Sequence, residues 1–213
     1  MDEIFKIYNS ICISYEDKRA LLKKLFSFFN TKPLIEDSRD DLLYKKLKTG
    51  NNLDPLKVFQ LVGLIHQKRR EAEKIANTDK RKHFGIYYTD YSIARLIAKE
   101  SLSSSNERNL FSLSFYEPCV GAGVFVIAYI DEILERTKNF HPKSLQILIN
   151  NIYFSDIDGE AVDLSVQLLP LYIKARYNIS VKINSKNYFK GDTLFENDNG
   201  KIRQIGTSFT FKK

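Results

Sequence analysis

The sequence predicts an α/β protein: a helical N-terminal region over residues 1–80, followed by part of a doubly wound parallel sheet over residues 81–213. Three observations predict it. Before residue 80, apolar side chains recur at helical spacing with charges between them. From Tyr87 onward, short apolar runs alternate with helical patterns. Within that second part the order is strand, glycine turn, helix, strand, acid, helix, strand, which is the order of a parallel sheet with helical crossovers.

The elements follow in turn. Leu21, Leu22, Leu25, Phe28 and Phe29 fall on one helical face, with Lys18, Arg19, Lys23 and Lys24 between them, and Thr31-Lys32-Pro33 ends that helix. A second helix is expected over 40–47, stopped by Thr49-Gly50-Asn51-Asn52. Asp54-Pro55 opens a third, where Asp54 can cap and Pro55 suits the first turn. It carries Val58, Leu61, Val62 and Ile65 on one face and runs towards Ile75. Thr89 or Asp90 can cap a helix over 91–101 whose face is Ile93, Ala94, Ile97 and Ala98. Residues 102–109 form a polar loop, 113–116 a short strand ending at Glu117, and 124–136 an apolar helix. A second strand is expected over 152–155, a helix over 159–176 with a kink at Pro170, and a third strand over 179–183. No repeat of the ~20–50-residue kind is present.

Composition limits the class. The 213 residues are 43% hydrophobic and 28% charged, ordinary for a soluble globular protein. No apolar run reaches the roughly 18–20 residues that cross a bilayer, and Met1-Asp2-Glu3 lacks a secretory layout, so no membrane partner and a cytoplasmic location are expected. Cys12 and Cys119 are then expected as free thiols. His66, His83 and His141 are isolated, without metal-ligand spacing. The net charge of +7 and pI of about 9.2 favour a polyanionic partner. The densest basic stretches are Lys68-Arg69-Arg70 and Lys80-Arg81-Lys82-His83; a solvated helix face accounts for them equally well.

Four segments carry the site chemistry. In Glu117-Pro118-Cys119-Val120-Gly121-Ala122-Gly123-Val124-Phe125, a strand end, a tight turn and a helix start place free backbone N–H groups beside a crevice. Gly121 and Gly123 let the backbone approach a ligand closely. Val126 stands where a dinucleotide fingerprint would have its third glycine, and the Gly-Lys-Ser/Thr of a nucleotide P-loop is absent. Glu117 would repel a pyrophosphate but suits a ligand with a cationic amino-acid end, such as S-adenosylmethionine. Asp156, at the end of the second strand, can accept hydrogen bonds from ribose hydroxyls, and Ile157 can lie on an adenine face. Asp158 reads as a helix cap, a role also open to Asp156. In Lys190-Gly191-Asp192-Thr193-Leu194-Phe195, Asp192 can accept from an adenine amino group; an ordinary Gly-Asp turn is the alternative. Ahead of the sheet, Gly85-Ile86-Tyr87-Tyr88-Thr89-Asp90 supplies two aromatics and a helix start.

These segments together resemble the N6-adenine DNA methyltransferases of restriction-modification systems, in the gamma arrangement of Type I modification subunits and many Type II and IIG enzymes. Gly85–Asp90 is similar to their Gly-Gln-Tyr-Tyr-Thr-Pro segment, Glu117–Phe125 to their Asp/Glu-Pro-x-x-Gly-x-Gly-x-Phe loop, Asp156-Ile157-Asp158 to their acid after the second strand, and Gly191-Asp192 to their Gly-Asp. The resemblance covers about residues 81–195. It implies an incomplete Rossmann-like methyltransferase sheet with S-adenosylmethionine as cofactor. It also implies that Tyr87 and Thr89 contact the methionine end, and that Glu117, Cys119, Gly121 and Gly123 line the methionine and ribose. Asp156 and Ile157 would hold ribose and adenine, and Asp192 and Leu194 the adenine.

In that family a flipped adenine is oriented by an Asn/Asp-Pro-Pro-aromatic tetrapeptide. The five prolines here, at 33, 55, 118, 142 and 170, include no adjacent pair. A fourth strand would begin near Ser208-Phe209. The expectation is the front part of such an enzyme, inactive alone, from a frameshifted, split or cut gene. Its partners would be double-stranded DNA in the complete enzyme and a second polypeptide carrying the catalytic and target-recognition parts. The alternatives are a non-catalytic cofactor- or DNA-binding module or subunit, and a non-functional remnant. A methyltransferase acting on RNA, protein or a small molecule is disfavoured by Gly-Ile-Tyr-Tyr-Thr, and a dinucleotide oxidoreductase by Val126.

Overall fold

Three helices of the N-terminal part of this chain start where an aspartate, Asp17, Asp37 or Asp54, supplies the cap. The structure, a computed structural model, describes residues 2–29, 35–75, 88–103, 105, 107–191, 195–198 and 201–204. In chain order these form α1 (Asp2–Ser10), α2 (Lys18–Ser27), α3 (Ser38–Lys46), β1 (Lys48–Thr49), β2 (Asn52–Leu53), α4 (Pro55–Ile75), α5 (Tyr91–Ser101), β3 (Phe115–Glu117), α6 (Val124–Thr137), α7 (Pro142–Asn150), β4 (Ile152–Asp156), α8 (Gly159–Tyr177), β5 (Tyr188–Lys190), β6 (Phe195–Asp198) and β7 (Lys201–Gln204). The architecture is mixed α/β, mostly helical, with a small parallel sheet. The chain divides into two compact units, Met1–Tyr91 with Gln167–Ser180, and Ser92–Val166 with Val181–Lys213.

In the first unit, each cap satisfies amides that the helix itself leaves open. Asp17 accepts from the Arg19 and Ala20 amides at 2.8 and 3.2 Å. Asp37 does the same for Arg39 and Asp40 at 2.8 and 3.0 Å, so α3 starts two residues before the expected Asp40. Asp54 accepts from Leu56 at 2.9 Å ahead of Pro55, as the sequence suggests. α2 stops at Ser27, before Thr31-Lys32-Pro33, which lies outside the described residues. Val58, Leu61, Val62 and Ile65 are all buried, and Phe59 and Leu64 join them, so α4 is apolar over a wider face than its pattern indicates. Phe59 meets Tyr172 edge to face at 5.3 Å.

Asp40 is the polar centre of this unit. Its side chain is fully buried and accepts from the Tyr15 hydroxyl at 2.6 Å, from the Glu36 amide at 2.9 Å and from the Lys24 ammonium. A buried carboxylate is tolerable only when its lone pairs are filled in this way. The basic stretch at 68–70 is also internally matched: Lys68 pairs with Glu71 at 2.9 Å, and Arg69 and Arg70 with Glu73 at 2.6 and 3.1 Å. The three basic side chains are paired and only partly exposed, Arg69 at 10%, so this stretch is not the fully solvated face that the sequence allows. Residues 80–83 lie outside the described residues.

In the second unit, β3, β4 and β5 form a three-stranded parallel sheet in that order. Phe115 pairs with Ile152 and Glu117 with Phe154; Phe154 pairs with Tyr188 and Asp156 with Lys190. The sequence places the third strand at 179–183, and here the structure differs. That segment has no regular structure and joins no sheet, Asn184 caps a 3-10 turn at Ser185–Asn187, and the strand follows it. The cause is Asn187, buried, whose amide donates to the carbonyls of Asn150 and Ile152 at 2.9 and 2.8 Å and so brings β5 alongside β4.

α6 is buried from Val126 to Leu134, and Tyr129 stacks on Phe115 of β3 at 4.4 Å. α7, to which the sequence reading gives no element, has Pro142 in its first turn and His141 as its cap, accepting from the Lys143 amide at 3.1 Å. α5 forms where expected, but only the alanines of its expected face turn inward. Ala94 and Ala98 are buried, whereas Ile93, Leu96 and Ile97 are 49%, 59% and 50% exposed. Arg136 sets this orientation: its guanidinium binds Glu132 at 2.7 Å and reaches the carbonyls of Lys99 in α5 and Leu102 just after it, at 2.9 and 2.6 Å.

Candidate functional site

The candidate site lies in the second unit, at the carboxyl ends of β3 and β4. Parallel pairing puts both strand ends on one edge of the sheet, where the loops of an α/β protein meet. β3 ends in Glu117 and β4 in Asp156. Between β3 and α6 runs the glycine loop, and its turn is left-handed at both glycines: φ is +53° at Gly121 and +89° at Gly123. Only glycine adopts such angles without a steric penalty. Gly123 takes the N-cap position of α6, and no side chain caps that helix. Its first-turn amides therefore lack the usual side-chain acceptor.

The loop is held from below. The Val120 amide donates to the Ser155 carbonyl at 2.9 Å, the Gly121 amide to Oδ2 of Asp156 at 2.9 Å, and the Gly123 amide to the Val120 carbonyl at 2.7 Å. The Ser165 hydroxyl, from α8, donates to the Gly121 carbonyl at 2.9 Å. Beneath the strand end, the hydroxyls of Tyr116 and Ser155 lie 2.9 Å apart.

The two acids have different surroundings. Glu117 is half-buried and accepts from the Cys119 amide at 3.0 Å. Burial raises its carboxyl above the ordinary value of 4.5, and the neighbouring Asp156 charge adds to that, against the lowering effect of the Cys119 amide. A cationic group arriving here would relieve both costs. Asp156 takes the Asp158 amide on Oδ1 at 2.8 Å while Oδ2 holds Gly121. Asp158 caps α8 by accepting from the Glu160 amide at 3.1 Å. Just beyond Asp156, Ile157 is 45% exposed, an apolar side chain beside the acid. A Cβ added to Gly121 would meet nothing within 4 Å, so the outer side of the turn is open.

Of the residues singled out from sequence, the structure thus brings together Glu117, Cys119, Gly121, Gly123, Asp156 and Ile157. Cys119 is exposed and Cys12 buried, and neither forms a disulfide. Thr89 is half-buried just ahead of α5 and belongs to the first unit. Tyr87, Asp192 and Leu194 lie outside the described residues. Sequence reasoning misses Ser155 and Ser165. For Ser165 a signal exists: it interrupts the apolar series Ala161, Val162, Leu168, Leu169 at helical spacing, and a polar residue in a buried stripe needs a partner.

Among the described residues, no group of three or more His, Cys, Asp or Glu side chains is placed to hold a metal ion, and no helix is long and apolar enough to cross a membrane. Compared with protein-family models, with curated proteins and with solved structures, the chain gives no match.

Proposed function

We propose that the chain binds S-adenosylmethionine at the carboxyl ends of β3 and β4, as the cofactor-binding part of an adenine-N6 DNA methyltransferase. One observation carries the reading: two carboxylates, Glu117 and Asp156, end adjacent parallel strands on either side of a left-handed glycine turn that opens a helix. That constellation favours a ligand with a cationic amino-acid end and a ribose over any polyphosphate. Three parallel strands in sequence order with helical crossovers correspond to one half of a doubly wound sheet, which supports a Rossmann-like reading.

In this reading Glu117 accepts from the ligand's ammonium group, and the Asp156 carboxylate accepts from ribose hydroxyls. Ile157 covers one face of the adenine, and Gly121 and Gly123 allow the backbone to come close. S-adenosylmethionine supplies an electrophilic methyl group. The 213 residues contain no Asn/Asp-Pro-Pro-aromatic tetrapeptide to orient an adenine; the proposal assigns cofactor binding to them, and methyl transfer to DNA to groups outside them.

The deciding experiment is calorimetric titration of the chain with S-adenosylmethionine and S-adenosylhomocysteine, with ATP and NADH as controls. Saturable binding of the first two, lost in Glu117→Gln and weakened in Asp156→Asn, is expected. Binding of NADH or ATP in preference, or of none of the four, overturns the reading.

A further inference from the structure

We infer that Ser165 is a positioning residue for the glycine loop, holding Gly121 in its left-handed turn so that the loop has its shape before a ligand arrives. The inference rests on reading this loop as the S-adenosylmethionine site. Glycine permits φ of +53° but does not select it; something else must. Three bonds do so. Two come from β4, through the Ser155 carbonyl and the Asp156 carboxylate. The third comes from α8, where Ser165 lies 44 residues further along the chain.

The Ser165 bond differs from the other two in what it does to the peptide. With its N–H on Asp156 and its C=O on Ser165, Gly121 has both backbone polar groups turned inward. What it offers on the outer side is the space that a Cβ would occupy, and that space is open for 4 Å. Ser165 is fully buried, so no ligand touches it and no water competes for its hydroxyl. Placing a hydroxyl in an apolar helix stripe costs stability unless it is bonded, and the Gly121 carbonyl is the group it binds.

The test uses the full chain with Ser165→Ala and the near-isosteric Ser165→Cys, whose thiol is a weak donor. Amide hydrogen exchange is read separately for the loop at 119–124 and for β4, alongside S-adenosylhomocysteine affinity. Loop exchange is expected to rise about tenfold in Ser165→Ala and less in Ser165→Cys, the loss of one buried hydrogen bond, with β4 protection unchanged. Affinity should fall by a similar factor in the same order. Unchanged loop exchange overturns the inference, and so does an equal rise in the loop and β4, which would make Ser165 a general packing residue. If the wild-type chain binds no S-adenosylhomocysteine, the cofactor reading fails, while the exchange comparison still decides the role of Ser165 in the loop.

Discussion

The amide of Gly121 donates to Oδ2 of Asp156 at 2.9 Å, joining two residues 35 positions apart, while Oδ1 of the same carboxylate takes the amide of Asp158. One side chain therefore holds the glycine loop and the approach to α8 together. Asp156→Asn should break this double duty, because a carboxamide offers one oxygen and must turn its NH2 towards one of the two amides. The expected loss is about 1–3 kcal/mol, read as a lower urea midpoint with an unchanged slope. An unshifted midpoint would show that the two bonds contribute nothing to stability.

Glu117 should make the protein's stability depend on pH in the direction opposite to that of a salt-bridged acid. Its folded-state carboxyl is raised above 4.5, by burial first and by Asp156 second. The folded form therefore holds its proton more tightly than the unfolded form. The associated stability is fully present below 4.5 and is lost as pH rises through the folded value. Glu117→Gln should flatten that fall and leave the protein at least as stable at neutral pH, measured by denaturant titrations from about pH 4 to 8. A steeper fall in the variant would contradict the assignment.

How much of this was legible in the sequence depends on whether the signal was local. β4 and its terminal Asp156, the glycine turn and the Asp54-Pro55 start of α4 are written in neighbouring residues, and each forms where expected. β5 is not local. Ile179, Val181 and Ile183 have strand propensity, yet the ladder forms at Tyr188–Lys190, because Asn187 bonds to carbonyls 35 and 37 residues away. Propensity yields to such tertiary contacts. The inward face of α5 was hidden for a similar reason: Arg136 fixes the helix so that alanines, not isoleucines, face the unit. α7 had a readable signal in His141-Pro142 followed by Leu145, Leu148 and Ile149.

Asp40 should be the most sensitive single position of the first unit. Burial alone would raise its carboxyl, but the bonds from Lys24, Tyr15 and the Glu36 amide outweigh it and hold the value below 3.8. Its stabilisation is present above 3.8 and lost as pH falls through the lowered value. Asp40→Ala leaves Lys24 and Tyr15 without this acceptor, and a cost of about 3–5 kcal/mol is expected in chemical denaturation. The variant should also lose the acid limb that Asp40 contributes. A cost near that of a surface substitution would mean the network is not coupled.

Glu73 should act as a brake on polyanion binding. Arg69 and Arg70 pair with it at 2.6 and 3.1 Å, and Arg19 lies at 3.9 Å. Glu73→Gln removes the shared negative charge. Non-specific affinity for double-stranded DNA should rise, with a salt dependence steeper by about one unit for each further phosphate neutralised. Fluorescence anisotropy across a salt series reads this directly; identical slopes for variant and wild type would show that this helix face does not meet DNA.

The bond from Ser165 to Gly121 also fixes an order of assembly. Every residue of the glycine loop is synthesised well before Ser165, with 44 positions between the two ends of that bond. At roughly 5–20 residues per second of translation, the loop spends some seconds outside the grip of α8. β3 and α6 can meet in that interval through Phe115 and Tyr129, 14 positions apart and both already made. A nascent chain halted before residue 165 would thus carry the whole glycine motif and lack one of the three bonds that tie it to the rest of the unit. On the ribosome, the binding loop is written early and locked late.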